Sequence, residues 1–280
     1  MTNSNSKTFH SLYSIYYESD GFNIKGEKLM GRQAAGLSFL KGIIQSDQYD
    51  DFGVYIRSLN DREVLKEQLN ELISLSKKTK DVSIIPYEQP LLTKPFGGIQ
   101  LPGPVLNQFA KIRGWYGHSE YSLVGITHTT ASHLIMSGIS SLLTEPIMPW
   151  DAIICTSNSV YETVSKIINA QKEFLSHRYN TKIDFLPKLP ILPLGINCNE
   201  FDYSDEYINQ SRKELGINEN DIVISYVGRL SFHAKAHHIP MYLALENCAK
   251  LLGSDKKIHL IQTGWFANEF IENEFKSDSR

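Results

Sequence analysis

The sequence has few cysteines, no surplus of one charge and no long apolar run. Cysteine occurs three times in 280 residues, at Cys155, Cys198 and Cys248. An odd number at separations of 43 and 50 residues fits neither a disulfide framework nor the Cys-x-x-Cys spacing of a zinc site. They read as small buried hydrophobes in a reducing compartment. The 28 basic and 31 acidic residues leave a net charge of −3, so a broad phosphate-binding face for nucleic acid is not expected. No GxGxxG followed by an acidic residue opens the chain, which argues against a nicotinamide-dependent oxidoreductase. The first twenty residues are polar and then aromatic, without the apolar core of a signal peptide. From Tyr121 to Thr144 there is no Asp, Glu, Lys or Arg, but His128, His133 and many hydroxyls make it buried interior rather than a membrane span. There is no fixed-period repeat and no low-complexity tract.

What is present is an alternation of strand and helix patterns. Hydrophobic residues make up 41% and charged residues 21%, enough to build a packed core. Strands are expected at Phe9–Tyr17, Phe52–Ile56, Val82–Ile85, Leu123–Thr127 and Trp150–Thr156, with Ile191–Leu194 extended before a turn. Helices are expected at Gly31–Ile44, Asp61–Leu75, Leu106–Ile112 and Val160–Phe174. The segment from Pro86 to Pro104, with five prolines and three glycines, reads as a loop and a candidate acceptor contact. A second series begins near Asp221, with strand Ile222–Val227, helix Pro240–Leu252 and strand Lys257–Thr263. Continuous apolar strands alternating with helices imply a parallel sheet covered on both faces. The fold class is therefore α/β. We expect a first domain over 1–200, a polar linker over 201–220 and a second domain over 221–280. Glu269, Glu272 and Glu274 are expected in a polar tail that ends without a closing helix.

Ligands of open α/β sheets bind beyond the carboxyl ends of the strands, so the residues after each strand carry the candidate chemistry. After the first strand, Gly31-Arg32-Gln33-Ala34-Ala35-Gly36 starts a helix with small residues. These would either let backbone N–H groups approach an anion or pack the helix closely. His128 follows the Leu123 strand and would either contact a sugar hydroxyl or phosphate, or serve the structure. After the Ile222 strand come Gly228, Arg229 and, six residues further, Lys235. A guanidinium fork and an ammonium suit a diphosphate leaving group, though solvated surface cations would look the same. His237 and His238 have no carboxylate at metal spacing and read as helix-start residues.

Taken in order, GRQAAG, GITHT, DAIICTSNSVYETV, ILPLGINCNEF and SYVGRLSFHAK resemble the motif series of glycosyltransferase family 4, from about residue 9 to 265. The resemblance implies a GT-B-like architecture and a retaining transfer from a UDP- or GDP-sugar, in glycan or cell-envelope biosynthesis. It implies a hexosyltransferase that works without a metal or other cofactor. Arg229 and Lys235 would be catalytic and hold the donor diphosphate beside Gly228. Gly31 would face the reacting centre, and His128 would contact the transferring sugar. The implied partners are a nucleotide-sugar donor and a sugar, lipid or small-molecule acceptor, with no nucleic acid. The implied location is cytoplasmic, with peripheral contact at the inner face of a membrane as a variant. The family's second domain also carries two glutamates, about two turns apart, that bind donor sugar and ribose. The residues from Asp221 onward suffice for about two βα units and offer no such pair. The expectation is a complete N-terminal Rossmann-like domain with a partial C-terminal one. The alternative is an inactive GT-B chain serving as a binding module.

Overall fold

The structure, a computed structural model, describes residues 12–26, 28–46, 48, 51–74, 81–235, 237–253 and 256–279. Residues 9–11 of the expected first strand, and Leu75 of the expected second helix, lie outside them. The chain divides into two units, Met1–Ile196 and Asn197–Arg280.

The first unit alternates as the pattern implies. Strand β1 (Leu12–Tyr17) is followed by a short helix α1 (Ser19–Phe22), helix α2 (Gly31–Gln45), β2 (Asp51–Ile56), α3 (Leu59–Ser74) and β3 (Asp81–Pro86). Next come a 3-10 turn (Pro90–Phe96), β4 (Gly98–Gln100), α4 (Asn107–Gly114), β5 (Ser122–Ile126), α5 (His133–Ser140), β6 (Ala152–Ile154) and α6 (Asn158–Tyr179). All six strands are parallel, in the order β3-β2-β1-β4-β5-β6.

The register explains the two-sided burial. Ile15 pairs with Val54 and Tyr17 with Ile56, so these side chains share one face with Phe52. There they pack under Leu40, Ile43 and Ile44 of α2 and Leu65 and Leu69 of α3. The other face carries Tyr16, Tyr55, Ile99, Leu101, Leu123 and Ile153 against Ala110, Ile139, Val164 and Ile168 of α4, α5 and α6. Burying a side chain of this size contributes roughly 1.5–3 kcal/mol, so each face is a substantial core. Both ends of α6 are closed by residues suited to the place: Ser157 Oγ accepts from Val160 N–H at 3.2 Å, and Asn180 closes the helix in the left-handed region at φ 47°.

The Pro86–Pro104 reading is corrected. This segment contains β4, which lies between β1 and β5 in the middle of the sheet. Gly98, Ile99 and Gln100 are too few to show a strand period, and the prolines stand on either side of them.

A buried ion pair anchors the edge of the sheet where β5 and β6 begin. Arg113 and Asp151 are both fully buried and meet through two N–H···O bonds of 2.7 Å. Arg113 also donates to the Tyr121 carbonyl at 2.9 Å, and Asp151 accepts from Leu123 N–H at 2.8 Å and Met148 N–H at 2.7 Å.

The second unit contains α7 (Asp205–Glu214), β7 (Ile222–Val227), α8 (His238–Leu252), β8 (Ile258–Thr263) and α9 (Glu269–Asp278). Strands β7 and β8 pair in parallel. Helix α7 occupies the stretch read as linker. The glutamates assigned to a polar tail lie on α9, whose start is capped by Asn268 Oδ1 accepting from Ile271 N–H at 2.9 Å. Its Ile271 and Phe275 are buried with Leu230. The charged residues of α9 hide this apolar pair at i and i+4 spacing. Ile222, Ile224 and Val227 of β7 are exposed, so the two-sided cover expected of parallel strands holds in the first unit and not here. Cys155 is buried, but Cys198 and Cys248 are exposed, against the expectation of three buried thiols.

Candidate functional site

The strand order makes a switch point between β1 and β4. The chain leaves β1 toward α2 on one face and leaves β4 toward α4 on the other. The crevice beyond such a pair of carboxyl ends is where doubly wound sheets bind ligands. A cavity of about 340 Å³ lies there. Its polar wall is Tyr16, Glu18, Arg32, His128 and Thr129, and its apolar wall includes Pro102, Pro104, Phe109 and Leu134. The end of the Pro86–Pro104 segment, the acceptor contact expected from sequence, thus lines this cavity.

Each polar group is placed by a strand end or helix start. Tyr16 is in β1; burial, then the neighbouring Glu18 carboxylate, pushes its pKa up. Tyr16 is wedged against Phe109, with ring centres 4.7 Å apart. Arg32 sits in the first turn of α2 and pairs with Asp20 at 2.6 Å and Glu18 at 3.8 Å. Helix α2 comes this close to α1 because residue 36 is glycine. A Cβ there would lie 2.0 Å from the Gly21 carbonyl oxygen.

His128 follows β5. Burial lowers its pKa, partly offset by its hydrogen bond to the Pro102 backbone, and the charge of Arg32 lowers it further. The neutral imidazole that burial favours has one donor and one acceptor nitrogen.

Of the sequence-assigned residues in this unit, His128 lines the cavity. Gly31 is the exposed first residue of α2, with open space where a Cβ would stand; its neighbour Arg32 forms the wall. Glu18, Tyr16 and Arg32 were missed from sequence. Glu18 directly follows β1, and the rule that ligands gather past strand ends would have found it. A larger cavity of about 680 Å³ lies along the α2 face of β4–β6, but glycine, serine and aliphatic side chains dominate its lining. Lacking a charged group, it offers less chemistry than the switch-point crevice.

In the second unit, the loop after β7 carries Gly228, Arg229 and Lys235. It is locked to the loop after β8. Gly228 N–H donates to Thr263 O at 2.9 Å and Leu230 N–H to Trp265 O at 3.0 Å, so the backbone is held on both sides of Arg229. The two loops approach so closely that a Cβ on Gly264 would stand 1.8 Å from the Gly228 oxygen. The Arg229 guanidinium lies over the Trp265 ring at 5.6 Å, a cation–π contact. Its buried Nε has no hydrogen-bond partner. Lys235 is exposed in the turn that ends this loop. His237 caps α8, its Nδ1 accepting from Ile239 N–H at 3.4 Å, and His238 bonds Asp278 at 2.6 Å. Among the described residues, no group of three His, Cys, Asp or Glu side chains could hold a metal ion. No helix among them is long and apolar enough to cross a membrane.

No protein-family profile matches the sequence, and no curated protein matches it. Solved structures do. The structure of Anabaena Alr3699/HepE in complex with UDP is similar with a TM-score of 0.60 at 13% identity, over 96% of this chain and 65% of that one. The same protein in complex with UDP-glucose gives 0.56 at 14% identity, over 95% and 65%. In complex with UDP and glucose it gives 0.55 at 13% identity. The chain thus spans 65% of the length of the protein it matches. At these identities the likeness establishes the architecture: the chain has a GT-B-like α/β fold with a Rossmann-ordered parallel sheet.

Proposed function

We propose that the protein is a retaining glycosyltransferase that moves a hexosyl group from a nucleoside-diphosphate sugar, UDP- or GDP-linked, to an acceptor. The observation that carries this reading is the Gly228–Lys235 loop. It presents a backbone-locked arginine, with an unsatisfied buried N–H, and a lysine at the carboxyl end of a parallel strand. The likeness to a protein solved with UDP and UDP-glucose supports it.

In this reading Arg229 and Lys235 hold the diphosphate. As the bond from sugar C1 to the diphosphate oxygen breaks, their charges stabilise the departing nucleoside diphosphate. A divalent cation is not needed for that role. C1 bonds the acceptor oxygen, and the acceptor proton goes to the leaving phosphate. The first unit supplies His128 for the transferring sugar, the Gly31 loop for the reacting centre, and the switch-point crevice for the acceptor. Domain roles follow: acceptor side over 1–200, a connecting stretch over 201–220, and donor side from 221. Work in glycan or cell-envelope biosynthesis, in a reducing cytoplasm, suits a chain whose cysteine spacing offers no disulfide framework.

Incubation with UDP-glucose or GDP-mannose and a panel of acceptors tests this. Released nucleotide is followed by coupled assay and the product anomer by proton NMR. Retained configuration is expected, and Lys235→Ala should lower kcat by roughly 10²-fold, as loss of a transition-state charge contact does. An inverted product, or unchanged turnover in the variant, contradicts the reading.

A further inference from the structure

The charges around the switch-point crevice restrict what it can hold. Its one lining cation, Arg32, is already committed to Asp20 at 2.6 Å and to Glu18 at 3.8 Å. Two carboxylates thus surround one guanidinium, so an incoming phosphate or carboxylate would meet a wall whose charge is net negative and would face the Glu18 carboxylate. Removing a ligand's charge from water without a free counter-charge is costly. What the crevice offers instead is acceptors. The Glu18 carboxylate lines the crevice, half-exposed, with lone pairs to spare. Burial favours the neutral imidazole of His128, which presents one donor and one acceptor nitrogen. Opposite these lies an apolar wall that includes Pro102, Pro104 and Phe109. A ligand that donates several hydroxyl protons from one edge and lays C–H groups on the other side matches both walls.

We propose that this crevice binds an uncharged sugar as acceptor, with ring hydroxyls donating to Glu18 and to His128, which would then meet both the acceptor and the transferring sugar, and that it discriminates against acidic sugars through Glu18. This rests on the transferase reading for the word acceptor; the preference for a neutral polyol rests on the crevice alone.

Saturation-transfer-difference NMR on the whole chain tests it without requiring turnover. The probes are the methyl glycosides of glucose, galactose, mannose and N-acetylglucosamine, with glucuronate and galacturonate as acidic counterparts. At least one neutral glycoside should receive saturation, and its acidic counterparts should receive none. Glu18→Gln keeps the side-chain shape, so it should weaken the neutral signal about tenfold, as loss of a charged hydrogen-bond partner does, and admit the uronates. His128→Gln should weaken the neutral signal too. Three results overturn the inference: no neutral glycoside binds, a uronate binds the unaltered protein as well as its neutral counterpart, or neither substitution changes the neutral signal. Nucleotide release from UDP-glucose or GDP-mannose, measured separately, keeps the two claims apart. Release without neutral-sugar saturation overturns this inference alone, and saturation without release counts against the transferase reading alone.

Discussion

Replacing Gly264 with alanine tests whether the Arg229 loop is the donor anchor. The residue does not carry chemistry itself. Its hydrogen atom faces the Gly228 carbonyl, and a Cβ in its place would stand 1.8 Å from that oxygen. Cβ atoms essentially never come within 3.0 Å of a neighbour, so the two loops must part by about 1.2 Å. The movement falls on the residue before Arg229 and strains the Leu230 to Trp265 hydrogen bond on its other side. A misplacement of about 1 Å costs roughly 10²-fold in rate when the group concerned orients the reaction. Overpacking of this kind also costs about 1–3 kcal/mol of stability, which the protein must be shown to survive. The assay is kcat/KM with the nucleotide-sugar donor, paired with urea unfolding of the same sample. Gly42→Ala, in the middle of α2 with no atom within 4 Å of the new Cβ, serves as the control and should leave kcat/KM unchanged. A folded Gly264→Ala protein with wild-type kcat/KM would refute the reasoning, because Arg229 could not then need its backbone position.

Three further perturbations follow from the first unit. Asp151→Asn leaves the Arg113 charge buried without its counter-charge and should cost about 3–5 kcal/mol by urea unfolding; replacing Arg113 and Asp151 together with Met and Leu should cost less than that single change. Gly36→Ala should destabilise by about 1–3 kcal/mol despite alanine's better helix propensity, since the Gly21 carbonyl must move aside. His128 has a pKa lowered by burial, so its neutral form is favoured in the fold. Its contribution is present above the unfolded histidine value near 6.5 and is lost as pH falls through the lower folded value. Unfolding free energies at pH 7.5 and 5 should therefore converge in His128→Gln relative to the unaltered protein; an equal acid loss in both would contradict the assignment.

Much of this fold was legible because its strands are short and apolar. Phe52–Ile56 and Ile222–Val227 announce themselves by composition, and α6 by its apolar steps. Strand β4 was hidden because three residues carry no period, and its place at the centre of the sheet is a fact of topology. Helix α9 was hidden because its buried apolar residues, Ile271 and Phe275, stand in a charged stretch. At the candidate site, His128, Arg229 and Lys235 were legible as polar residues just past strands. Glu18, just past β1, was open to the same rule. Arg32 and Tyr16 were not, because what distinguishes them is that β1 and β4 lie side by side, and sequence separation of more than eighty residues conceals that.

The central claim is that the Gly228–Lys235 loop holds a nucleoside diphosphate. Phosphorus NMR of UDP titrated with the protein tests it most directly, since line broadening reports even weak contact at each phosphate. The account predicts broadening of the β-phosphate resonance that is lost when Arg229 and Lys235 are both changed to alanine. Equal broadening with the unaltered and doubly changed proteins, or none with either, would contradict it.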